Sequence, residues 1–330
     1  MTQNTMQDYT IVARTPGGPE VLERRALTPP APGKGQVLVR HQAVGLNFLD
    51  IYHRSGMYPW AAPHDLIPGS EAAGVIAAVG PDVTGLHPGD RVAYTYPLGA
   101  YATARVIAAD RLLKLPDGID AETAAGVILK GLTAHYLIHD SFAVAKGMTV
   151  LVHAAAGGVG LLLGQWLKAK GVRAIGTAGG AAKVELALAH GYDAVIDYLA
   201  GDFVDTVRDL TGGAGVHAVY DSVGADTWRG SLACLRTHGA FVNFGQASGP
   251  ITGFTFADLA KGSFHACRPV LFHYIAEPDG LQRRGAALFA ALLDGTLKSD
   301  VRNRFALGEA ADAHAALESR QTSGTTVLIP

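Results

Sequence analysis

Hydrophobic positions change their spacing three times along this chain. From Tyr9 to about Leu115 they fall in short runs broken by turn residues. The stretch 36–42 (QVLVRHQ) alternates like a half-buried strand, and 74–79 is a small apolar run ending at Gly80-Pro81. Turns are marked by Pro-Gly pairs at Pro16-Gly17, Pro32-Gly33, Pro68-Gly69 and Pro88-Gly89. This pattern predicts a compact β-rich unit. Near Asp120 the spacing turns helical: Asp120-x-x-Thr123 opens one helix, and 131–141 reads as a second. After Gly147 the two patterns alternate. Strands are predicted at 149–153, 173–177, 194–197, 217–221 and 240–244, with helices between them at 158–169, 182–190, 203–210 and 227–235. Such alternation predicts right-handed βαβ units around a parallel sheet. Beyond about Ser263 it stops. Helical patterns at 278–293 and 308–319 and a last strand at 325–329 are expected to return to the first unit.

The chain is organised around Gly147–Lys168, GMTVLVHAAAGGVGLLLGQWLK. It reads as strand, small-residue turn and helix. No formally charged residue lies between Lys146 and Lys168, a length that could span a bilayer, but Gly157, Gly158 and Gly160 interrupt its middle. A buried strand followed by a buried helix explains it better. The turn carries G-x-G-x-x-G with one substitution: Ala155 stands first, Gly157 second and Gly160 third. Such a turn lets a pyrophosphate approach the main chain and rest on helix N-terminal amides, here those of Ala156, Gly157, Gly158, Val159 and Gly160. Alone the motif is weak. On the first strand of an alternating α/β unit it gains weight.

Composition narrows the function classes. The chain has 330 residues, 48% hydrophobic and 17% charged, enough for a large core and two domains. A net charge of −2 and only short basic pairs, Arg24-Arg25 and Arg283-Arg284, argue against a nucleic-acid surface. Cys234 and Cys267 provide no disulfide framework and suit a reducing compartment. The first dozen residues lack the basic and apolar regions of a signal peptide. The expectation is a cytoplasmic protein with no membrane and no nucleic-acid partner.

The end of the second strand of the α/β unit bears on which dinucleotide binds. NAD enzymes usually carry an acid there for the ribose 2′-OH. This strand ends Ala174-Ile175-Gly176-Thr177-Ala178-Gly179-Gly180, and Lys183 follows on the next helix. Without a carboxylate to repel it, a 2′-phosphate can pair with the Lys183 ammonium, and Gly179 leaves it room. NADPH is the expected cofactor.

The segment from Lys146 to Lys168 resembles the quinone oxidoreductase and zeta-crystallin branch of the medium-chain dehydrogenase/reductase superfamily. The resemblance extends to GLNFLDIYHRSGMYP, PGSEAAGVI, PGDRVAY, LKGLTAHYL, VYDSVGADTW and the ending LESRQTSGTTVLIP. It implies an α/β protein: a GroES-like β-rich catalytic domain over 1–125, completed by 266–330, and a doubly wound parallel-sheet Rossmann domain over 126–265. It also implies a homodimer. Zinc relatives in the superfamily carry a catalytic Cys where this chain has Asn47 and a His-Glu where it has Ser70-Glu71. They also carry a cysteine-rich lobe with no counterpart here. Two scattered cysteines cannot supply a zinc site. His135 and His139, spaced i, i+4, lack the adjacent Glu of a metalloprotease helix and read as packed histidines. No metal is expected.

By resemblance, Asn47 and Tyr52 sit beside the nicotinamide and the substrate, and Lys130 and Thr133 face the cofactor. Gly179, Lys183, Tyr198 and Arg320 would surround the 2′-phosphate. Ser222, Phe244, Gly245 and Arg268 would line the track from adenosine to nicotinamide. Tyr52 is the expected hydrogen-bond donor to the reduced oxygen, set against a plain packing role. Asp50 reads as a turn residue without an assigned role. His41, Met57 and Trp60 surround the expected substrate loop.

The expected activity is zinc-independent hydride transfer from NADPH to a quinone, which is electrophilic without a metal. The alternative enzyme is an NADPH-dependent reductase of activated C=C bonds, which needs a proton donor at the α-carbon. None of the 11 tyrosines has a lysine four residues later, which excludes a short-chain dehydrogenase. A non-catalytic, crystallin-like or RNA-binding NADPH protein is the alternative from another class, and the near-neutral charge gives it little support.

Overall fold

The computed structural model describes residues 7–60, 65–319 and 322–330. It divides into two compact units. The first comprises Met1–Leu129, Ile275–Leu293 and Ser299–Pro330, and the second Lys130–Tyr274 with Asp294–Lys298.

The first unit opens with a two-stranded antiparallel sheet, β1 (Tyr9–Ala13) and β2 (Leu22–Ala26). The long strand β3 (Gln36–Gly45) then alternates buried and exposed positions before becoming buried throughout. It leads into α1 (Phe48–Arg54) and three more strands, β4 (Glu71–Val79), β5 (Arg91–Thr95) and β6 (Ala104–Ala108). Short β7 (Leu113–Lys114) and helix α2 (Ala121–Tyr136) follow. The division between the units falls inside α2, after Leu129.

The expected break near Gly131 is absent: one helix runs to Tyr136 and ends in a π-helical turn over Leu137–Ser141. Val127, Ile128, Leu132 and Ala134 are all buried, so packing on both sides of Gly131 carries the helix through a residue of poor propensity.

The second unit is a six-stranded parallel sheet. In chain order its elements are β8 (Thr149–Val152), α3 (Gly158–Ala169), β9 (Arg173–Ala178), α4 (Ala181–Ala189), β10 (Ala194–Asp197), α5 (Phe203–Leu210), β11 (Val216–Asp221), α6 (Trp228–Cys234), β12 (Leu235–Asn243), α7 (Phe256–Leu259), β13 (His265–Cys267) and α8 (Leu271–Tyr274). The spatial order is β10-β9-β8-β11-β12-β13, which counted from β8 is 3-2-1-4-5-6, the order of a Rossmann fold. Leu151, Ile175, Val207, Val219, Trp228 and Phe241 form its core.

The chain then returns to the first unit with α9 (Pro278–Leu293), β14 (Val301–Ala306), α10 (Ala310–Glu318) and β15 (Thr325–Ile329). β15 pairs antiparallel with β3, setting Val327 against Gly45 and Leu328 against Val44. The main sheet of this unit runs β14-β15-β3-β4-β5-β7, with β6 also on β3. Val37, Val39, Ile76, Tyr94, Tyr101, Leu307 and Leu328 fill the core beneath it.

Candidate functional site

In the second unit the predicted residues gather at the carboxyl ends of the strands. β8 lies between β9 and β11, the point where strand order reverses and ligands bind in open α/β sheets. Ala154 leaves β8 in the left-handed region, with φ of 54°. The Ala155 N–H then donates to the Thr177 carbonyl on β9, and Gly157 caps α3. A Cβ on Gly160 would lie 2.4 and 2.6 Å from the carbonyl oxygens of Ala154 and Ala155, so only glycine fits that close approach. The amides of Gly158, Val159 and Gly160 belong to the first turn, where no intrahelical acceptor exists.

The motif's alanine also has a geometric reason. Ala155 is fully buried, and a Cβ on Gly176 of β9 would come within 2.6 Å of its methyl group. The missing side chain at Gly176 makes room for the one present at Ala155. Ala156, beside it, is also buried.

At the end of β9, Gly179, Tyr198 and the start of α4 come together. A Cβ on Gly179 would meet the Tyr198 hydroxyl at 2.6 Å, so the tyrosine lies over the glycine. Gly180, with φ of 87°, caps α4, and half-buried Lys183 projects from that helix's first turn. The sequence reading missed an acid here. Asp197, at the end of β10, accepts the N–H groups of Gly180 (2.9 Å) and Leu199 (3.0 Å) through Oδ1. That oxygen is bound to the main chain.

On the other side of β8, the ends of β11 and β12 bring Ser222, Phe244 and Gly245 together. The Phe244 N–H donates to the Asp221 carbonyl, and a Cβ on Gly245 would sit 2.6 Å from the Ser222 carbonyl oxygen. Arg268, just past β13, donates to the Asn243 carbonyl at 3.3 Å. Lys130 and Thr133 are both buried and lie three residues apart on α2, hence on one face.

Beneath these ends lies a buried polar cluster that sequence reasoning did not find. His153 is hydrogen-bonded to Thr177 Oγ1 (2.9 Å) and Ser231 Oγ (3.0 Å). Asp221 Oδ2 accepts from Ser231 and Thr227, and its Oδ1 accepts the N–H groups of Val223 and Gly224. Burial lowers the His153 pKa, which favours the neutral ring in this tie between β8, β9, β11 and α6.

In the first unit, Asn47 and Tyr52 belong to a helix where the sequence suggested a loop. Asn47 is the N-cap of α1, and its N–H donates to Asp50 Oδ2 at 2.9 Å. Its side-chain amide turns instead to Glu71, with Nδ2 donating to Oε1 at 2.8 Å. Oε2 of the same carboxylate accepts the Leu129 N–H at 2.7 Å. Glu71 is fully buried, and the sequence marked it only as half of the Ser70-Glu71 pair that stands where zinc relatives carry His-Glu. Tyr52 is buried against Phe48 and Tyr58, with centroids 6.2 and 5.5 Å away.

Arg320 lies outside the described residues. His135 and His139 stack with centroids 4.2 Å apart, both edge-on to Trp166. Among the described residues no three His, Cys, Asp or Glu side chains gather to hold a metal ion.

Comparison with known proteins agrees with this architecture. The alcohol dehydrogenase GroES-like domain family matches residues 33–146, and the zinc-binding dehydrogenase family matches residues 158–272. The quinone oxidoreductase of Pseudomonas aeruginosa is 49% identical, over 95% of this chain and 97% of its own. A 2-haloacrylate reductase from a Burkholderia species is 42% identical, over 95% and 96% respectively. The structure of Escherichia coli quinone oxidoreductase complexed with NADPH superposes with a TM-score of 0.95 at 42% identity, covering 98% of this chain and all of that one. With a GroES-like domain, a parallel-sheet Rossmann domain and such identity along nearly its whole length, this chain belongs to the quinone oxidoreductase family of the medium-chain dehydrogenase/reductase superfamily.

Proposed function

We propose that this protein is a zinc-independent NADPH:quinone oxidoreductase. The observation that carries the reading is the cradle at the carboxyl edge of the second unit's sheet. A glycine turn opens a 12-residue helix there, next to a strand end without an acid of its own. The fit is specific at Gly160, where any side chain would strike the main chain. The E. coli relative in complex with NADPH supports the same cofactor.

In this reading the turn from Ala156 to Gly160 takes the pyrophosphate, chiefly on the first-turn amides of Gly158, Val159 and Gly160, the Gly157 N–H being held by the Ala154 carbonyl. Gly179, Lys183, Tyr198 and Arg320 take the 2′-phosphate, whose charge a lysine and an arginine offset. Ser222, Phe244, Gly245 and Arg268 line the cofactor's course, and Lys130 and Thr133 face it from α2. NADPH, when bound, supplies the hydride. A quinone is electron-poor enough to accept it directly, and negative charge then develops on a ring oxygen. Tyr52 donates a hydrogen bond to that oxygen, and Asn47, its amide held by Glu71, orients the acceptor. That oxygen then takes up one proton from solvent, so that NADPH, quinone and a proton yield NADP+ and hydroquinone.

The catalytic domain is read as 1–125 with 266–330 and the cofactor domain as 126–265. The family resemblance supports a homodimer, and the unpaired cysteines support a cytoplasmic location. No described helix is long and apolar enough to cross a membrane.

A second reading, reduction of an activated C=C bond, is favoured by the 2-haloacrylate reductase relative. NADPH oxidation with 1,4-benzoquinone and with 2-chloroacrylate, measured side by side, separates the two. The expected result is a larger kcat/KM for the quinone, and a larger value for the acrylate would install the second reading.

A further inference from the structure

The proposed chemistry makes no use of Arg54, although it is among the largest fully buried side chains in the protein. It closes α1, two residues beyond Tyr52. Its guanidinium grips Glu318 at the end of α10 with a two-point fork, 2.9 and 2.7 Å, and Nε donates to the Gly17 carbonyl at 3.1 Å. Nη1 also reaches Nδ1 of His314, 260 positions away, at 3.1 Å. An arginine has only donors, so Nδ1 must accept and the ring proton must sit on Nε2. That Nε2–H donates to the Tyr101 oxygen at 2.9 Å, and the Tyr101 O–H donates to Asp50 Oδ2 at 3.3 Å. Asp50 Oδ2 in turn holds the Asn47 N–H, while Oδ1 accepts from Ser70 Oγ at 2.7 Å.

Every hydrogen bond in this chain therefore has one possible direction: Arg54, His314 and Tyr101 donate in turn toward Asp50, and the Asn47 N–H donates to the same carboxylate from the other side. Burial, with the Arg54 charge beside it, pushes His314 down to about 3, so the ring stays neutral and keeps a single tautomer. Burial and the neighbouring Asp50 carboxylate raise the pKa of Tyr101, which keeps its donating proton in place.

We infer that Arg54, His314 and Tyr101 are positioning residues. Acting through Asp50, they lock the seven-residue helix α1 at both ends and so fix Asn47 and Tyr52 for hydride transfer. Two considerations favour this over a role in stability alone. A helix of this length cannot hold its own geometry and depends on tertiary ties. Buried ion pairs seldom add stability over apolar side chains of equal volume, but a fully satisfied polar network fixes one arrangement. The inference rests on the reading of Asn47 and Tyr52 given above.

Three variants and one spectrum test it. Tyr101→Phe removes a single oxygen from the relay, and His314→Leu removes the link entirely. His314→Gln keeps an acceptor toward Arg54 and a donor toward Tyr101. Tyr101→Phe and His314→Leu are expected to lower kcat with 1,4-benzoquinone about tenfold, the scale of a small misplacement. The NADPH dissociation constant should stay within about twofold, and His314→Gln should recover most of the kcat. In the wild-type protein, 15N-resolved NMR should show His314 as the Nε2–H tautomer throughout the range from about pH 5 to pH 8. Unchanged kcat in both variants, equal losses in kcat and NADPH affinity, or equal effects of Leu and Gln would overturn the inference. So would an Nδ1–H tautomer, which can be read even where a variant does not fold. Absence of any quinone turnover by the wild type would instead refute the proposed function and leave the tautomer to decide the relay.

Discussion

In the second unit the glycine turn and strand ends assigned to the cofactor present main chain. The first-turn amides of α3, the bare Cα atoms of Gly160 and Gly179, and the strand ends of β8, β9 and β11 do the positioning. In the first unit Asn47 and Tyr52 are held by side chains. Asp50 and Glu71 hold Asn47 directly, Tyr101, His314 and Arg54 extend that network to segments far apart in sequence, and Tyr52 packs on Phe48 and Tyr58. Backbone presentation suits an invariant ligand such as a pyrophosphate. A side-chain network suits a reacting centre, because each bond in it can be adjusted by one substitution.

The sharpest way to break this comparison is Asp50→Ala. It deprives three donors of their acceptor, the Asn47 N–H and the hydroxyls of Ser70 and Tyr101. The expected loss is about 3 kcal/mol of unfolding free energy in urea, with quinone turnover falling more than NADPH affinity. A variant as stable and active as wild type would mean the network holds nothing.

The matching change in the second unit is Gly160→Ala, whose methyl group would press on two carbonyl oxygens. A destabilisation of about 2 kcal/mol is expected. NADPH affinity should fall at least tenfold by calorimetry, with the KM for quinone nearly unchanged. Normal NADPH binding would contradict a cradle made of backbone.

Acid should strain the first unit through its buried histidines. His41, desolvated and hydrogen-bonded to the Ala102 carbonyl, is pushed down to about 4, and His314 to about 3. Both folded values lie below that of a free imidazole, so the unfolded chain takes up the protons first. Stability is therefore full above about pH 6.5 and falls as pH drops through the window down to about 4 for one ring and about 3 for the other. Near pH 5.5 each histidine should have removed about 1.4 kcal/mol, measurable by urea unfolding across the range. Phe in place of His41 should flatten part of that slope.

Lys183→Ala is the smallest change. Loss of one ammonium from the 2′-phosphate should raise the KM for NADPH about tenfold and leave NADH use nearly unchanged. An equal loss for both cofactors would refute the assignment.

The same contrast decides what could be read from the sequence. The strands predicted at 149–153, 173–177, 194–197 and 217–221 match β8 to β11 within a residue or two. Each βαβ unit writes its burial into a local, repeating pattern. The glycine turn was legible for the same reason, being contiguous. α1 was read as a loop, since seven residues carry too little periodicity to announce a helix. β13 is exposed along its length and β14 has no buried position, so neither carries an apolar signature. The partnership of Arg54 with His314 and Glu318 spans more than 250 positions and has no local trace. The substitution at Ala155 was legible in the motif, but its packing reason, the bare Gly176 on the neighbouring strand, was not.

The central claim is metal-independent hydride transfer from NADPH to a quinone. Its most direct test is the initial rate of NADPH oxidation with 1,4-benzoquinone, before and after exhaustive dialysis against a chelator. Steady turnover, equal in the two samples, is expected. No turnover with the quinone, or turnover that chelation abolishes and zinc restores, would contradict it.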